Sequence, residues 1–79
     1  MVETRRNPRY RVRMVGSIEF GRGPIDCTVR DLSISGAALD VESQTVIPAK
    51  FTLAVPGGGL HLPCHVVWRR PYRIGVAFD

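Results

Sequence analysis

The sequence has no long hydrophobic run. Its first fifteen residues are polar and basic, and no later segment suits a signal peptide or a membrane-spanning helix. This absence argues against secretion and membrane insertion and predicts a cytoplasmic protein. The chain has only two cysteines, Cys27 and Cys64, and both lie in alternating apolar segments. We therefore expect buried free thiols and no disulfide.

The sequence also lacks the 3.6-residue apolar period of an amphipathic helix, an internal repeat and a second domain. Aromatic residues make up only 8% of the chain. Four of them fall on the inward phase of the pattern described below: Phe20, Phe51, Trp68 and Phe78. Only Tyr10 and Tyr72 are left as exposed aromatics, a small supply for a groove that stacks the bases of a single-stranded nucleic acid.

The chain instead has apolar residues at every second position, which is typical of half-buried strands. Six such runs occur, near residues 14–20, 25–30, 37–41, 51–55, 60–68 and 72–78. Turns are predicted at the Gly-rich segments 21–24 and 56–59. Within the fifth run, Pro63 predicts a bulge or an edge position, because proline donates no backbone hydrogen bond.

These strands predict a single all-β domain. Six short strands joined by turns favour a closed antiparallel barrel, because closure removes the exposed edges of an open sheet. We expect residues 13–79 to form the barrel and residues 1–12 to form a flexible N-terminal arm.

The chain is basic, with a formal net charge of +4 and a pI near 9.8. This charge favours an anionic partner. A nucleic acid, a phosphorylated small molecule and an anionic membrane would each satisfy it, so the choice depends on local motifs.

A first motif lies in the arm, where Arg5, Arg6 and Arg9 occur within five residues. A planar guanidinium can bind phosphate oxygens or a guanine edge with two hydrogen bonds, and it can stack on a purine. Three such groups can surround a compact dianion. The alternative is a solvated basic tail.

A second motif, Asp-Leu-Ser-Ile-Ser-Gly, spans residues 31–36 between two predicted strands. Strict alternation points its leucine and isoleucine inward and directs Asp31, Ser33 and Ser35 to solvent. The carboxylate could accept hydrogen bonds from guanine, and Gly36 could allow a close ligand approach or a positive φ. The alternative is an ordinary turn in which these side chains bond to nearby backbone amides.

Together the two motifs resemble those of the PilZ domain, a bacterial receptor for cyclic di-GMP. Its arginine motif, R-x-x-x-R, fits Arg5 to Arg9, with Arg6 as an additional arginine. Its barrel motif, D/N-x-S-x-x-G, fits the segment 31–36 without a mismatch. Segments 66–68 and 73–78 are similar to the family's closing strands, so the resemblance covers nearly the whole chain.

The resemblance implies a receptor that binds cyclic di-GMP in the cytoplasm and signals to a downstream protein or a fused effector domain by ordering its arm. The implied ligand contacts are Arg5, Arg6, Arg9, Asp31, Ser33 and the backbone of Gly36, with Ser35 and Trp68 as further candidates. Trp68 is open to two interpretations, as a core or rim residue or as a residue that lines the ligand groove. No cofactor beyond this ligand is implied.

Three other functions compete with the receptor. His61, Cys64 and His65 are close in sequence, but on a strand Cys64 opposes the histidines and the spacing fits no standard zinc site. No set of residues combines a nucleophile with a base at plausible spacing, so we expect no enzyme. The remaining alternatives are a small basic barrel that binds single-stranded nucleic acid and a PilZ-like protein-interaction module that binds no nucleotide.

Overall fold

The structure, a computed structural model, describes residues 10–42 and 47–79. Six strands account for most of them: β1 (Tyr10–Glu19), β2 (Ile25–Leu32), β3 (Gly36–Asp40), β4 (Lys50–Val55), β5 (Leu60–Arg70) and β6 (Arg73–Phe78). A 3₁₀ turn, Pro56–Gly58, connects β4 to β5. The arginines of the first motif lie outside the described residues.

The strands form a closed antiparallel barrel in the order β1-β2-β3-β6-β5-β4. The predicted six-stranded all-β fold is thereby confirmed. Four of the six strand pairings join strands that are consecutive in the chain. The other two, β1 with β4 and β3 with β6, join the first half of the chain to the second. No helix in the described part of the chain is long and apolar enough to cross a membrane.

The barrel interior is filled by the inward residues of all six strands. Its largest fully buried side chains are Ile18, Val29, Leu39, Leu53, Val55, Cys64 and Ile74. Burial of such side chains is the main favourable term in folding. Both cysteines are free and buried in this core, as the sequence predicts. The Cys64 thiol also donates to the backbone carbonyl of Phe51 at 3.5 Å.

The first strand begins earlier than expected. We expected the barrel to start at residue 13, whereas β1 begins at Tyr10, which pairs with Leu32. Val12 continues the inward phase and packs against the core. A β-bulge between Arg11 and Met14 keeps this extension in register with β2.

Pro63 occupies an edge position, one of the two predicted possibilities. It pairs with Thr52 of β4, but on its other side β6 has already ended, since the last pair is Cys64 with Phe78. The carbonyl of Pro63 accepts a hydrogen bond from Asp79 at 2.8 Å. The missing N–H of Pro63 points to this same side, because the N and O atoms of a strand residue share a direction.

The inward prediction for Trp68 is wrong. Strict alternation along β5 fails at Val67, where a β-bulge lets Val66 pair with Val76 and Trp68 pair with Gly75. Trp68 therefore projects outward with Gly75, and its side chain is 39% exposed. One inserted residue thus moves the only tryptophan from the core to the surface.

The buried cysteines predict low thiol reactivity. Burial raises the pKa of Cys27 to about 12 and that of Cys64 to about 11. Since the thiolate is the reactive form, both thiols should react with a disulfide reagent at pH 8 at least about 100-fold more slowly in the native protein than in urea. Because the unfolded thiols ionise first, the free energy of unfolding should fall as the pH rises above about 9.

The measurement is a spectrophotometric thiol titration of the native and the unfolded protein, with glutathione as the reagent control. Rapid native reaction of either cysteine would contradict the buried placement.

Candidate functional site

The second motif forms a serine-stabilised turn between β2 and β3. The Ser33 hydroxyl oxygen accepts hydrogen bonds from the backbone N–H groups of Ser35 and Gly36, each at 3.2 Å. The Ser33 N–H in turn donates to the Gly36 carbonyl at 2.9 Å. Ser33 therefore organises the turn, and its hydroxyl lies 3.2 Å from that of Ser35. The two hydroxyls are adjacent at the surface.

The turn changes one expected orientation. Leu32 packs against the core as predicted, but Ile34 is 83% exposed, so its predicted inward orientation is wrong. Alternation ends at the last residue of β2, and Ile34 lies at the tip of the turn. An exposed isoleucine beside two serine hydroxyls gives the turn both an apolar and a polar surface.

Gly36 is required by the packing of the barrel. Its φ is not positive, so the sequence interpretation based on left-handed backbone is wrong. Instead, a Cβ on Gly36 would come within 2.2 Å of the carbonyl oxygen of Val76 and 3.3 Å of the Ala77 Cα. The glycine of the motif thus permits the close approach of β3 to β6.

Cross-strand pairing aligns five outward residues across five strands. The pairs run in the order Arg11, Asp31, Ala38, Gly75 and Trp68. Directly paired residues project to the same side of a sheet, so these residues form one row, which we call the outward row. Ala38 has only a methyl side chain and lies between the carboxylate of Asp31 and Gly75, which is covered by the indole of Trp68.

Trp68 is held in place from two sides. Its ring covers Gly75, where a Cβ would come within 2.2 Å of the ring atoms. The Arg70 guanidinium lies 5.0 Å from the ring centroid in a cation–π contact. The indole therefore has a defined position at one end of the outward row.

A charged cluster adjoins this row. Asp40 accepts a hydrogen bond from Arg73 Nε at 2.6 Å and another from Arg30 Nη1 at 3.0 Å. The hydrogen bond from Arg73 holds the pKa of Asp40 below its ordinary value, with a further contribution from Arg30. Asp40 consequently stays ionised at neutral pH between two guanidinium groups.

The histidine and cysteine cluster does not assemble. Cys64 points into the core, whereas His61 is exposed. His65 Nδ1 lies 2.7 Å from an Asp79 carboxylate oxygen. Within residues 10–42 and 47–79, no group of three or more potential metal ligands comes together.

A groove that includes Asp40 and Arg73 of the charged cluster runs beside the first residues of β2 and the end of β3. Its polar lining contains the carboxylates of Asp26, Asp40 and Glu42 together with Arg73. Val15 and Tyr72 supply apolar surface. The carboxylates of Asp26 and Glu42 disfavour an anion in the part of this groove away from Arg73, so an anionic ligand fits the outward row and the arginines beside it better.

The sequence model of one protein family, the PilZ domain, matches residues 3–79. The chain belongs to the PilZ family. None of the curated proteins matches it. PilZ domains are in general receptors for cyclic di-GMP and are not a known catalytic family. The match extends over both motifs and the whole barrel.

The structure brings together part of the predicted PilZ site. Asp31, Ser33, Ser35 and Gly36 lie in and beside one turn, and Trp68 shares the outward row with Asp31. The three arginines of the arm, Arg5, Arg6 and Arg9, lie outside the described residues.

Sequence reasoning missed the residues that adjoin this site. Ala38, Arg30 and Asp40 belong to no motif, and Arg73 is marked in the sequence only as the first residue of the segment 73–78, which is similar to a closing strand of the family. Their placement depends on which residues pair across β2, β3 and β6. The only sequence signal was the run of small residues in β3, which permits close packing.

Gly36→Ala tests the packing role of the motif glycine. Because the added methyl group meets β6 backbone, we expect a loss of about 1–3 kcal/mol in the free energy of unfolding. The matched control is Gly57→Ala, since a Cβ on Gly57 meets nothing within 4 Å. Urea unfolding followed by circular dichroism measures both. Equal stability of the two variants would contradict the proposed close approach of β3 and β6.

Proposed function

We propose that this PilZ domain is a receptor for cyclic di-GMP and that the ligand binds across the outward row. The observation that carries the proposal is the alignment of Asp31 and Trp68 on one exposed face, with the serine turn beside it. Asp31, Ser33 and Ser35 supply polar contacts, Gly36 contributes its backbone, and Trp68 supplies an aromatic surface.

The chemistry of the face suits a purine dinucleotide. A carboxylate can accept hydrogen bonds from the N1 and N2 groups of guanine, and serine hydroxyls can bind phosphate or base. An exposed indole can stack on a base, which contributes about 1–3 kcal/mol per base in comparable sites. Between these groups, the small side chain of Ala38 leaves space for a flat ligand beside the indole ring, which covers Gly75.

The arginine motif is covalently close to this face. Arg9 is bonded to Tyr10, and Tyr10 pairs with Leu32, one residue before the serine turn. An extended chain spans at most about 3.6 Å per residue, so Arg5 can lie no more than about 18 Å from Tyr10. All three arginines, Arg5, Arg6 and Arg9, can therefore reach a ligand on the outward row.

Signalling would follow from the arm. In the ligand complex, guanidinium groups from the arm would bind phosphates and guanine edges while Asp31 and Ser33 hold the ligand from the barrel. Fixing the arm loses conformational entropy, so moderate affinity is expected, and the ordered arm presents a new surface to a downstream protein or a fused effector domain.

The exposed tyrosines disfavour the nucleic-acid alternative. Tyr10 lies near the β2–β3 turn, whereas the Tyr72 carbonyl bonds to Val41 just past the other end of β3. The ends of β3 are four residue steps apart, a backbone distance of roughly 13 Å. The backbones of the two tyrosines therefore lie near opposite ends of β3 and not side by side, which disfavours a continuous stacking surface made by these two rings.

Isothermal titration tests the proposed site. Arg9→Ala and Asp31→Ala should each weaken cyclic di-GMP binding at least about tenfold, because each removes a charged hydrogen-bonding group worth about 1.5–3 kcal/mol. The matched controls are Arg22→Ala, in the exposed β1–β2 turn, and Asp26→Ala, an exposed position on β2. These controls should bind as the wild type does.

Parallel titrations with GTP and a short single-stranded oligonucleotide establish the ligand class. No heat with cyclic di-GMP, together with saturable binding of the oligonucleotide, would overturn the receptor proposal. Raised salt should weaken dinucleotide binding modestly, and a steep salt dependence would point to the polynucleotide instead.

The single tryptophan provides an independent optical test. If a guanine stacks on Trp68, cyclic di-GMP should quench the intrinsic fluorescence until the site is saturated. The dissociation constant from this fluorescence titration should equal the one from titration calorimetry. N-acetyltryptophanamide at the same ligand concentrations corrects for absorption. Calorimetric binding with unchanged fluorescence would remove Trp68 from the proposed site.

A further inference from the structure

One carboxylate organises two arginines beside the outward row. Asp40 binds Nε of Arg73 through Oδ1 and Nη1 of Arg30 through Oδ2. The side chains remain accessible, with exposures of 39% for each arginine and 31% for Asp40. The two guanidinium groups are thus held close together at the surface.

The cluster keeps capacity for a further anion. Two guanidinium groups share one carboxylate, while the carboxylate of Asp31 lies in the neighbouring row and those of Asp26 and Glu42 line the groove beside Asp40. The capacity for an anion therefore rests on the free N–H donors of the two guanidinium groups and not on a large net charge. Each guanidinium has five N–H donors. The bonds to Asp40 use one donor of each arginine, Nε–H of Arg73 and one N–H of Nη1 of Arg30. Both arginines therefore retain donors that a phosphate could accept.

The position of the cluster places these donors next to the proposed ligand face. Thr28, Asp40, Arg73 and Arg70 pair across β2, β3, β6 and β5, and this series is parallel to the outward row. Arg73 lies two residues from Gly75 on β6, a backbone distance of about 7 Å, which an arginine side chain can span.

Arg30 reaches the same place because of a bulge. Val29 pairs with Leu39 and Asp31 pairs with Ala38, so Arg30 is the extra residue on β2. The bulge directs its guanidinium to Asp40 while the next residue, Asp31, stays in the outward row. Asp31, the candidate acceptor for guanine, and Arg30, a donor for phosphate, are therefore adjacent in the sequence.

We propose that Arg30 and Arg73 bind a phosphate of the cyclic dinucleotide and that Asp40 is the positioning residue that holds both guanidinium groups for this contact. The inference rests on the proposed function. Cyclic di-GMP has two phosphates, so arginines of the arm and of the barrel can bind it at separate points. Arg30 and Arg73, which we call the barrel pair, belong to the described strands and not to the arm.

The first experiment is calorimetric titration of cyclic di-GMP into Arg30→Gln, Arg73→Gln and the double variant. We expect about threefold to tenfold weaker binding for each single variant and a larger loss for the double variant. Arg69→Gln is the matched control, because Arg69 is exposed on β5 and makes no ion pair among the described residues. Arg73→Lys keeps the charge without the fork and should recover only part of the affinity.

Asp40→Asn separates positioning from simple electrostatics. Removal of a negative charge near a phosphate would by itself tighten binding, whereas loss of the two charged hydrogen bonds frees the guanidinium groups and should weaken it. We expect binding about threefold weaker than in the wild type, with Asp40→Glu recovering part of it. Circular dichroism melting curves verify that each variant is folded.

The outcomes distinguish the two proposals. If the wild type binds no cyclic di-GMP, the proposed function fails. If the wild type binds and Asp31→Ala weakens binding, but the double arginine variant binds as the wild type does, the barrel pair is not part of the site. Tighter binding by Asp40→Asn would overturn the positioning role.

Discussion

The pairing of β3 with β6 is the contact on which the rest of the molecule depends. Together with the pairing of β1 and β4, it joins the first three strands to the last three, and without it the strand order β1-β2-β3-β6-β5-β4 could not close. Closure requires the backbones to approach at Gly36, where a side chain would meet the Val76 carbonyl. The same pairing places Asp31 and Trp68, 37 positions apart in sequence (68 − 31), in one exposed row.

Much of the fold could be predicted from period-two alternation, because each strand buries one face. Alternation fails where a strand gains a residue. The bulges at Arg30 and Val67 each reverse the inward and outward phase of the residues after them, and neither position carries a glycine or a proline that would mark it. The orientation of Trp68 could not be predicted for this reason. The exposure of Ile34 has a different cause, since alternation does not extend into a turn.

The barrel motif shows why a sequence pattern alone does not establish a binding site. Ser33 stabilises the turn through two backbone N–H groups, and Gly36 permits closure of the barrel. Both residues would be needed in a PilZ barrel that binds nothing. Asp31 is different, because its carboxylate makes no structural hydrogen bond among those found in the described chain and projects onto the outward row. Conversely, Arg30 and Arg73 have a geometric case for ligand contact, with Asp40 holding both of them, although neither motif includes these three residues.

If the proposed site is the binding site, the distribution of charge around the outward row selects among anions. A row that bound phosphate alone would not be expected to contain a carboxylate, because the negative charge of Asp31 would repel the phosphate. A guanine has N–H donors for that carboxylate and a π face for Trp68, while in the proposed complex a phosphate of the same ligand binds Arg30 and Arg73. A ligand that fits this site must therefore have N–H donors for Asp31 and a negative charge for the arginines a short distance apart. A compact guanine dinucleotide meets this requirement, whereas free phosphate lacks the donors and a polynucleotide extends beyond the face.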